Sequence, residues 1–234
     1  MQLFYNPELK QSDKKFFFDK NESHHIIKVL RKKKGDKILI TNGLGLLFNA
    51  EITIENQTAC EVSILSSYYQ KPKENKIHMA VAPTKLNDRF QWFIEKATEI
   101  GVDVITPIFC HQSERKILKE ERFKKVLIAA AKQSLRPHFP VLQKAISFEK
   151  FISVKHFESR FIAHCQNSPK KPLKTLILSN KDTLVLIGPE GDFSPKEVQM
   201  AEDKGFQSVS LAKQRLRTET AAIVACHTIQ LSND

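Results

Sequence analysis

The sequence contains little glycine, seven residues in 234, and lacks the short motifs that common ligand sites require. No GxGxxG stretch follows an apolar segment and no GxxxxGK(S/T) stretch occurs, which argues against a Rossmann dinucleotide site and a P-loop. The GxSxG elbow of α/β-hydrolases and the HExxH pair of zinc proteases are also missing. The sequence therefore gives little support to a hydrolase or to a metalloenzyme.

Cysteines and long apolar runs are scarce as well. The four cysteines are scattered without a CxxC pair, which is typical of reduced thiols and supports neither a zinc site nor a disulfide framework. No run reaches the ~18 apolar residues of a membrane span, and the first residues lack the basic and apolar regions of a signal peptide. We therefore expect a cytoplasmic protein without a bound metal.

The composition is strongly basic, with a net charge of +11. Such a charge indicates an anionic partner, most often nucleic acid, although a solvated basic surface in a lysine-rich proteome would also explain it. Six basic residues and a single acid, Asp36, lie between Lys28 and Lys37. A cluster of this density can neutralise several phosphates, so it favours the first interpretation.

The pattern of elements changes once along the chain. Residues 1–70 contain several short alternating segments and a strong hairpin signal at Asn42-Gly43, which predict a small β-barrel. Residues 71–76 are polar, contain a proline and read as a linker. From residue 77 to 234, strands alternate with helices, which predicts a largely parallel sheet. Among these strands we expect one at Leu173–Leu178.

A last helix is predicted from about Thr218 to Gln230. It is apolar nearly all round, so both of its faces should be buried. A terminal helix can achieve this by packing on its own sheet and on a second subunit. We therefore predict a homodimer.

Two loops stand out as candidate ligand sites. The apolar strand Thr183–Ile187 ends at Gly188-Pro189-Glu190-Gly191, and Ser194 then caps a helix with Glu197 closing a capping box. Ligands in open α/β sheets bind at the carboxyl ends of strands, although an ordinary strand-to-helix turn would have a similar pattern.

The second loop, Arg215–Ala221, also follows a strand and opens a helix that Thr218 can cap. The two loops would bring Glu190, Arg217 and Glu219 near the free backbone amides of a helix start. The alternative is that Thr218 and Glu219 serve only as caps and that Arg217 is a surface residue.

These loop sequences resemble the SPOUT class of S-adenosylmethionine (SAM)-dependent methyltransferases, and more closely the ribosomal RNA small-subunit methyltransferase E family. The resemblance rests first on 186–191 with 216–221. Further matching stretches run in order along the chain: Pro83-Thr84-Lys85 with Arg89, Glu95 to Val102, Ala130 to Ser134 with Arg136, and His25 to Arg31 with Gly35-Asp36.

The resemblance implies an α/β protein with an N-terminal PUA-like small β-barrel that binds RNA and a C-terminal SPOUT domain. The SPOUT domain would be a mostly parallel sheet whose last segments thread a trefoil knot around SAM. The enzyme would methylate N3 of one uridine in 16S ribosomal RNA, within the small ribosomal subunit. The alternatives are a SPOUT enzyme that acts on another RNA nucleotide and a non-catalytic RNA-binding protein.

The resemblance also implies roles for individual residues. Proton removal from uracil N3 needs a base or a cation that stabilises the anion, and the candidates are Arg217, Glu219 and Glu190. The residues implied to bind SAM are His164, Ile187, Gly188, Pro189, Glu190, Gly191, Leu211, Leu216, Thr218 and Ala221. Those implied to bind RNA are Arg31, Lys32, Lys33, Lys34, Lys85, Arg89 and Arg136.

The sequence departs from the family pattern at four positions. Ala212, Leu135 and Asp192 stand where glycine is common, and Lys132 replaces a common glutamate. Only glycine adopts positive φ angles without strain. If the family's loops need such an angle at the first three positions, the loops of this chain are expected to run differently there.

Overall fold

The structure, a computed structural model, describes residues 2–154, 157 and 159–233. The chain forms two compact units. The first contains the chain up to Pro72 together with Ala131–Phe139, and the second contains Lys73–Ala130 together with the chain from Pro140 onward. Residues 131–139 were not part of the linear N-terminal segment that composition suggested.

The first unit is built on a five-stranded sheet in the order β1-β3-β4-β5-β2. Its strands are β1 (Leu3–Tyr5), β2 (Lys15–Phe17), β3 (Lys37–Thr41), β4 (Leu46–Ile54) and β5 (Glu61–Tyr69). Two register shifts along the β4–β5 pair bend the sheet, since a bulge increases local twist. The sheet curls around a core that includes Phe4, Ile40 and Phe48, as expected for a PUA-like domain.

A short helix closes this core. Helix α1 (Lys20–His24) begins at Asp19, whose carboxylate caps it by accepting a hydrogen bond from the Glu22 amide at 2.8 Å. It continues as a π-helical turn, His25–Val29, and Arg31 then turns the chain with a φ of 55°. The second half of this helical segment is therefore wider than an α-helix.

The segment 131–139 completes the first unit through backbone hydrogen bonds. The Gly45 amide donates to the carbonyl of Pro137 at 2.9 Å, and the Phe139 amide donates to the carbonyl of Gly43 at 2.8 Å. The ring of Phe139 stacks on Tyr5, with centroids 4.6 Å apart. The hairpin predicted at Asn42-Gly43 is thus present, and residues far along the chain satisfy its polar groups.

Lys132 belongs to the same segment and explains one departure from the family pattern. Its ammonium lies 2.9 Å from the carboxylate of Glu22 on α1, and both side chains are largely shielded from solvent. The lysine therefore forms an ion pair within the first unit.

The second unit contains an eight-stranded sheet in the order β11-β13-β10-β12-β6-β7-β8, with β9 also paired to β7. The strands are β6 (Ile77–Val81), β7 (Val104–Phe109), β8 (Val141–Leu142), β9 (Ile146–Ser147), β10 (Ser159–Ala163), β11 (Lys171–Pro172), β12 (Thr183–Ile187) and β13 (Gln207–Ser210). Every pairing between these strands is parallel. This confirms the predicted SPOUT-type α/β class.

Side-chain alternation along the central strands separates two apolar layers. Every residue of β6 and β12 is buried, as expected for parallel strands covered on both faces. Val185 and Ile187 face one layer, whereas Leu184 and Leu186 face the other. The covering helices are α2 (Asn87–Ile100), α3 (Glu120–Gln133), α4 (Phe148–Ser153), α5 (Pro195–Asp203) and α6 (Thr218–Leu231).

The strand predicted at Leu173–Leu178 is wrong. The structure has a 3₁₀ helix there, Leu173–Thr175, after the two-residue strand β11. Its apolar residues Leu173, Leu176 and Ile177 are spaced three and four apart and pack on the same core, which is a helical and not an alternating pattern.

Helix α6 buries one face within the chain. Ala222, Ala225, Cys226 and Ile229 are buried, whereas Leu231 is 67% exposed. The homodimer inferred from this helix stays a prediction. None of the helices in the described ranges is long and apolar enough to cross a membrane.

Leu135 lies in segment 131–139 and has a φ of 56°, a left-handed conformation that disfavours a branched side chain. Leu135→Gly should raise stability by about 0.5–1 kcal/mol, because the relief of strain exceeds the entropy that glycine loses on folding. Thermal unfolding would measure the gain. The matched control is Leu178→Gly, another exposed leucine outside regular structure whose φ is negative, and it should be neutral or destabilising. A lower unfolding midpoint for Leu135→Gly would contradict the strain.

Candidate functional site

A cavity of about 490 Å³ opens at the carboxyl ends of β10, β12 and β13. Its walls come from three segments, residues 163–170, 187–192 and 209–221. Each segment follows one of three neighbouring parallel strands, so the topology alone brings them to the same edge of the sheet. This is where the two candidate loops were expected to meet.

One buried hydrogen bond joins the two loops. The Thr218 hydroxyl donates to the carbonyl of Gly188 at 3.1 Å, across 30 residues of sequence. Thr218 was predicted to cap α6, and this is wrong: Arg217 occupies the cap position and no side chain caps the helix. The threonine lies one residue further on and binds the other loop instead. The loops 188–192 and 212–217 therefore form one continuous wall.

Glu190 ties the loop after β12 to the loop after β6. Its Oε1 accepts a hydrogen bond from the Lys85 amide at 2.9 Å. The guanidinium of Arg115 holds the same loop from its other side by donating to the carbonyl of Thr84 at 3.1 Å. Glu190 is exposed and lines the cavity, so it combines a structural contact with access to a ligand.

Asp192 performs a similar task toward β10. One carboxylate oxygen accepts from the Cys165 amide and the other from its neighbour, the Phe193 amide, both at 2.8 Å. Its φ is 68°, which aspartate tolerates better than most residues and glycine adopts freely. The departure from glycine at this position thus keeps the backbone conformation and adds a side-chain contact.

The other departure in these loops is harmless for a different reason. Ala212 does not have a positive φ, so the loop does not need the freedom of a glycine there. Gly188, in contrast, lies close to Phe193: a Cβ there would be 3.1 Å from the backbone nitrogen of Phe193, so the loop would have to shift by a few tenths of an ångström.

His164 forms the wall on the β10 side. Its Nε2 lies 2.9 Å from the Ser208 hydroxyl, which in turn donates to Glu202 at 2.6 Å. The ammonium of Lys170 donates to the carbonyl of His164 at 3.0 Å and lies 3.5 Å from its Nδ1. Burial, and then the Lys170 charge, lower the pKa of His164 against the opposing effect of Asp192 and Glu202. The imidazole is therefore neutral near pH 7.

Most of the residues assigned to SAM and to catalysis lie on this cavity. The lining includes His164, Ile187, Gly188, Pro189, Glu190, Leu211, Leu216, Arg217, Thr218 and Ala221. Gly191 and Glu219 are not part of the lining. Glu219 is buried on the first turn of α6, with Oε1 3.8 Å from Arg89 Nε and Oε2 without a partner in the described part of the chain.

Sequence reasoning assigned no role to several lining residues, namely Cys165, Lys170 and Lys213, together with Arg215 at the start of the second candidate loop. Lys213 and Arg215 were detectable, because they lie between the predicted strand and the Leu216–Ala221 motif. Lys170 was not, since only its contacts in the folded chain bring it to His164.

The residues assigned to RNA lie in different units. Arg31, Lys33 and Lys34 are exposed at a turn of the first unit, which also contains Arg136. Lys85 and Arg89 belong to the second unit, where the ammonium of Lys85 pairs with Glu114 at 2.8 Å. Among the described residues, no cluster of three or more His, Cys, Asp or Glu side chains could hold a metal ion.

Comparisons with known proteins match nearly the whole chain to RNA methyltransferases. A family model described as an RNA methyltransferase domain matches residues 71–230, and one described as an RNA methyltransferase PUA domain matches residues 18–65. Ribosomal RNA small subunit methyltransferase E of Mesomycoplasma hyopneumoniae is 30% identical over 92% of this chain and 94% of that protein. The protein of the same name from Rickettsia conorii is 27% identical, over 98% and 94%.

Solved structures of two methyltransferases resemble this chain over nearly its full length. A probable rRNA-methyltransferase from Porphyromonas gingivalis superposes with a TM-score of 0.91 at 40% identity, covering 99% of both chains. A putative methyltransferase from Legionella pneumophila, solved in complex with the cofactor SAM, has a TM-score of 0.89 at 28% identity and covers 99% of this chain and 97% of that one.

Thr218→Val should destabilise the protein by about 1–3 kcal/mol, because the variant cannot donate to the buried carbonyl of Gly188. Urea denaturation would measure the loss. Thr218→Ser keeps the hydroxyl and should stay closer to the parent protein. Equal stability of the valine and serine variants would show that this hydrogen bond does not hold the loops together.

The lowered pKa of His164 predicts a loss of stability in acid. The unfolded chain takes up this proton first as the pH falls, so stability decreases below a pH of about 6.5 and continues to fall until the folded histidine is protonated. Thermal midpoints measured between about pH 7.5 and 5.5 should fall more for the parent protein than for His164→Gln. Parallel curves for the two proteins would rule out a contribution from His164.

Proposed function

The chain belongs to the ribosomal RNA small subunit methyltransferase E family, and we propose that it transfers a methyl group from SAM to N3 of one uridine in 16S ribosomal RNA. Family membership supports the coarser statement, a SAM-dependent methyltransferase acting on ribosomal RNA. The position of the methyl group and the nucleotide are our proposal.

The cavity closed by the Thr218–Gly188 hydrogen bond carries this proposal. Its volume of about 490 Å³ lies in the range typical of small-ligand sites. Ile187, Leu211 and Leu216 supply apolar walls, and the strand ends supply backbone polar groups between them. This mixture suits adenosine, which has an apolar ring face and polar edges.

We assign the SAM contacts to the backbone of Ile187, Gly188, Leu211 and Leu216, with His164 as a side wall and Gly191 supporting its loop. When bound, SAM supplies an electrophilic methyl group on a positively charged sulfur. The loops hold reactants in place, and positioning of this kind accounts for a large part of the acceleration of a transfer reaction.

Uracil N3 normally faces a pairing partner, so the target base has to be unpaired or flipped out before it can react. N3 also carries a proton that must leave. Arg217 is exposed and lines the cavity, and within the described residues its guanidinium forms no hydrogen bond or ion pair. We propose that its guanidinium stabilises the negative charge that develops on the uracil oxygens.

The two candidate carboxylates have different surroundings. Glu190 lines the cavity with only one oxygen held by a backbone amide, so it is the better placed proton acceptor. Glu219 lies beside Arg89 and outside the lining, so we propose that it positions Arg89 and the start of α6. Either role depends on the loops staying closed.

RNA affinity is assigned to the exposed basic turn Arg31–Lys34 with Arg136 in the first unit, and to Lys85 and Arg89 in the second. Because phosphate contacts release counterions, binding should weaken steeply with salt. We further propose that the substrate is the RNA within the small ribosomal subunit, that the enzyme acts in the cytoplasm and that it functions as a homodimer.

Deletion of the gene should abolish 3-methyluridine in small-subunit ribosomal RNA, as measured by nucleoside mass spectrometry. Complementation with the parent gene should restore it, and Arg217→Ala should not, although this variant should still bind SAM in calorimetry. Arg217→Lys keeps the charge and serves as the matched control. A deletion strain that retains 3-methyluridine would refute the uridine assignment, and loss of a different methylated nucleoside would redirect it.

A further inference from the structure

The loop between β13 and α6 contains three basic residues and no acidic one. Lys213, Arg215 and Arg217 are all exposed, and all three line the cavity. In the described part of the chain, none of the three side chains forms a hydrogen bond or an ion pair. Some basic side chains elsewhere in the second unit, among them Lys85, Arg122 and Lys124, form ion pairs with acidic partners.

The rest of the cavity does not balance this charge. Its lining contains two carboxylates, Glu190 and Asp192, against four cations, the three above and Lys170. Both oxygens of Asp192 already accept backbone amides, and so does one oxygen of Glu190. The cavity therefore has a positive field, whereas the sulfonium of SAM is itself positive.

We propose that Lys213 and Arg215 bind phosphates that flank the target nucleotide, and that the free enzyme consequently prefers S-adenosylhomocysteine, the uncharged-sulfur product, to SAM until RNA is bound. This inference rests on the proposed function. Phosphates beside these side chains neutralise the field, so the penalty against the sulfonium disappears. The two residues act on cofactor choice through charge and on RNA through direct contact.

The coupling has to work in both directions. If RNA raises the affinity for SAM, then SAM raises the affinity for RNA by the same factor. Loss of the methyl group removes the positive charge from the cofactor, so the product complex holds RNA less tightly than the reactant complex. The loop thus favours RNA binding before transfer and RNA release after it.

Equilibrium dialysis of labelled SAM and S-adenosylhomocysteine with the full-length protein would test the proposal. The parent protein should bind the product more tightly, and Lys213→Gln with Arg215→Gln should shift the ratio of the two affinities toward SAM by about three- to tenfold at low salt. Small ribosomal subunits that are already methylated, and therefore cannot react, should shift the parent ratio in the same direction. The double variant should also bind these subunits less tightly.

The chain offers a matched control for the charge change. Lys181 and Lys204 are exposed and lie just before β12 and before β13, at the amino ends of these strands and thus opposite the cavity. Lys181→Gln with Lys204→Gln alters the net charge equally and should leave the affinity ratio unchanged. A similar shift in both double variants would indicate an effect of net charge and overturn the local assignment.

Three further outcomes would decide the matter. If the Lys213 and Arg215 substitutions weaken SAM and its product equally while subunit binding is unchanged, the side chains bind the carboxylate common to both cofactors, and the proposal is wrong. If bound subunits do not change the parent ratio, the coupling is absent. If the parent protein binds neither cofactor, the proposed function itself fails.

Discussion

The hydrogen bond from Thr218 to the carbonyl of Gly188 is the contact on which the cavity depends. Without it, the carbonyl of Gly188 would be buried without this partner. The free-energy cost would be a large fraction of the free energy of unfolding of a domain. Glu190 and Asp192 continue the same arrangement by tying this loop to the segments after β6 and β10. The loops at the carboxyl ends of four neighbouring strands, β13, β10, β12 and β6, are therefore joined into one rim.

The charged groups of the rim divide into two classes. The carboxylates accept backbone amides and fix the shape, whereas the cations of the 212–217 loop line the cavity and have no side-chain partner among the residues that the structure describes. Because unpaired cations repel one another, this loop is destabilised unless an anion is present. The carboxylates thus hold the rim together, whereas the cations proposed to bind RNA take no part in holding it.

Periodicity predicted the elements of the second unit well, because its strands are buried on both faces and its helices cover them. The capping box at Ser194 is present with Glu197, since a cap is a local interaction that four residues encode. Leu173–Leu178 was wrongly predicted to be a strand, because a short apolar run fits both the two-residue repeat of a strand and the 3.6-residue repeat of a helix. The role of Thr218 was also assigned wrongly, because its partner lies 30 residues away and no local pattern encodes it. The pairing of Glu219 with Arg89 is tertiary in the same way.

The segment 131–139 has a consequence for how the protein is made. Its residues supply partners to Gly43 and Gly45, which emerge from the ribosome almost a hundred residues earlier. During synthesis, the N-terminal barrel must wait for Pro137 and Phe139 before its hairpin is satisfied. When the ribosome has synthesised the chain up to residue 72, the first unit is therefore still incomplete. A nascent chain that stalls there would hold an incomplete barrel, and the second unit would already be partly synthesised when the first one closes.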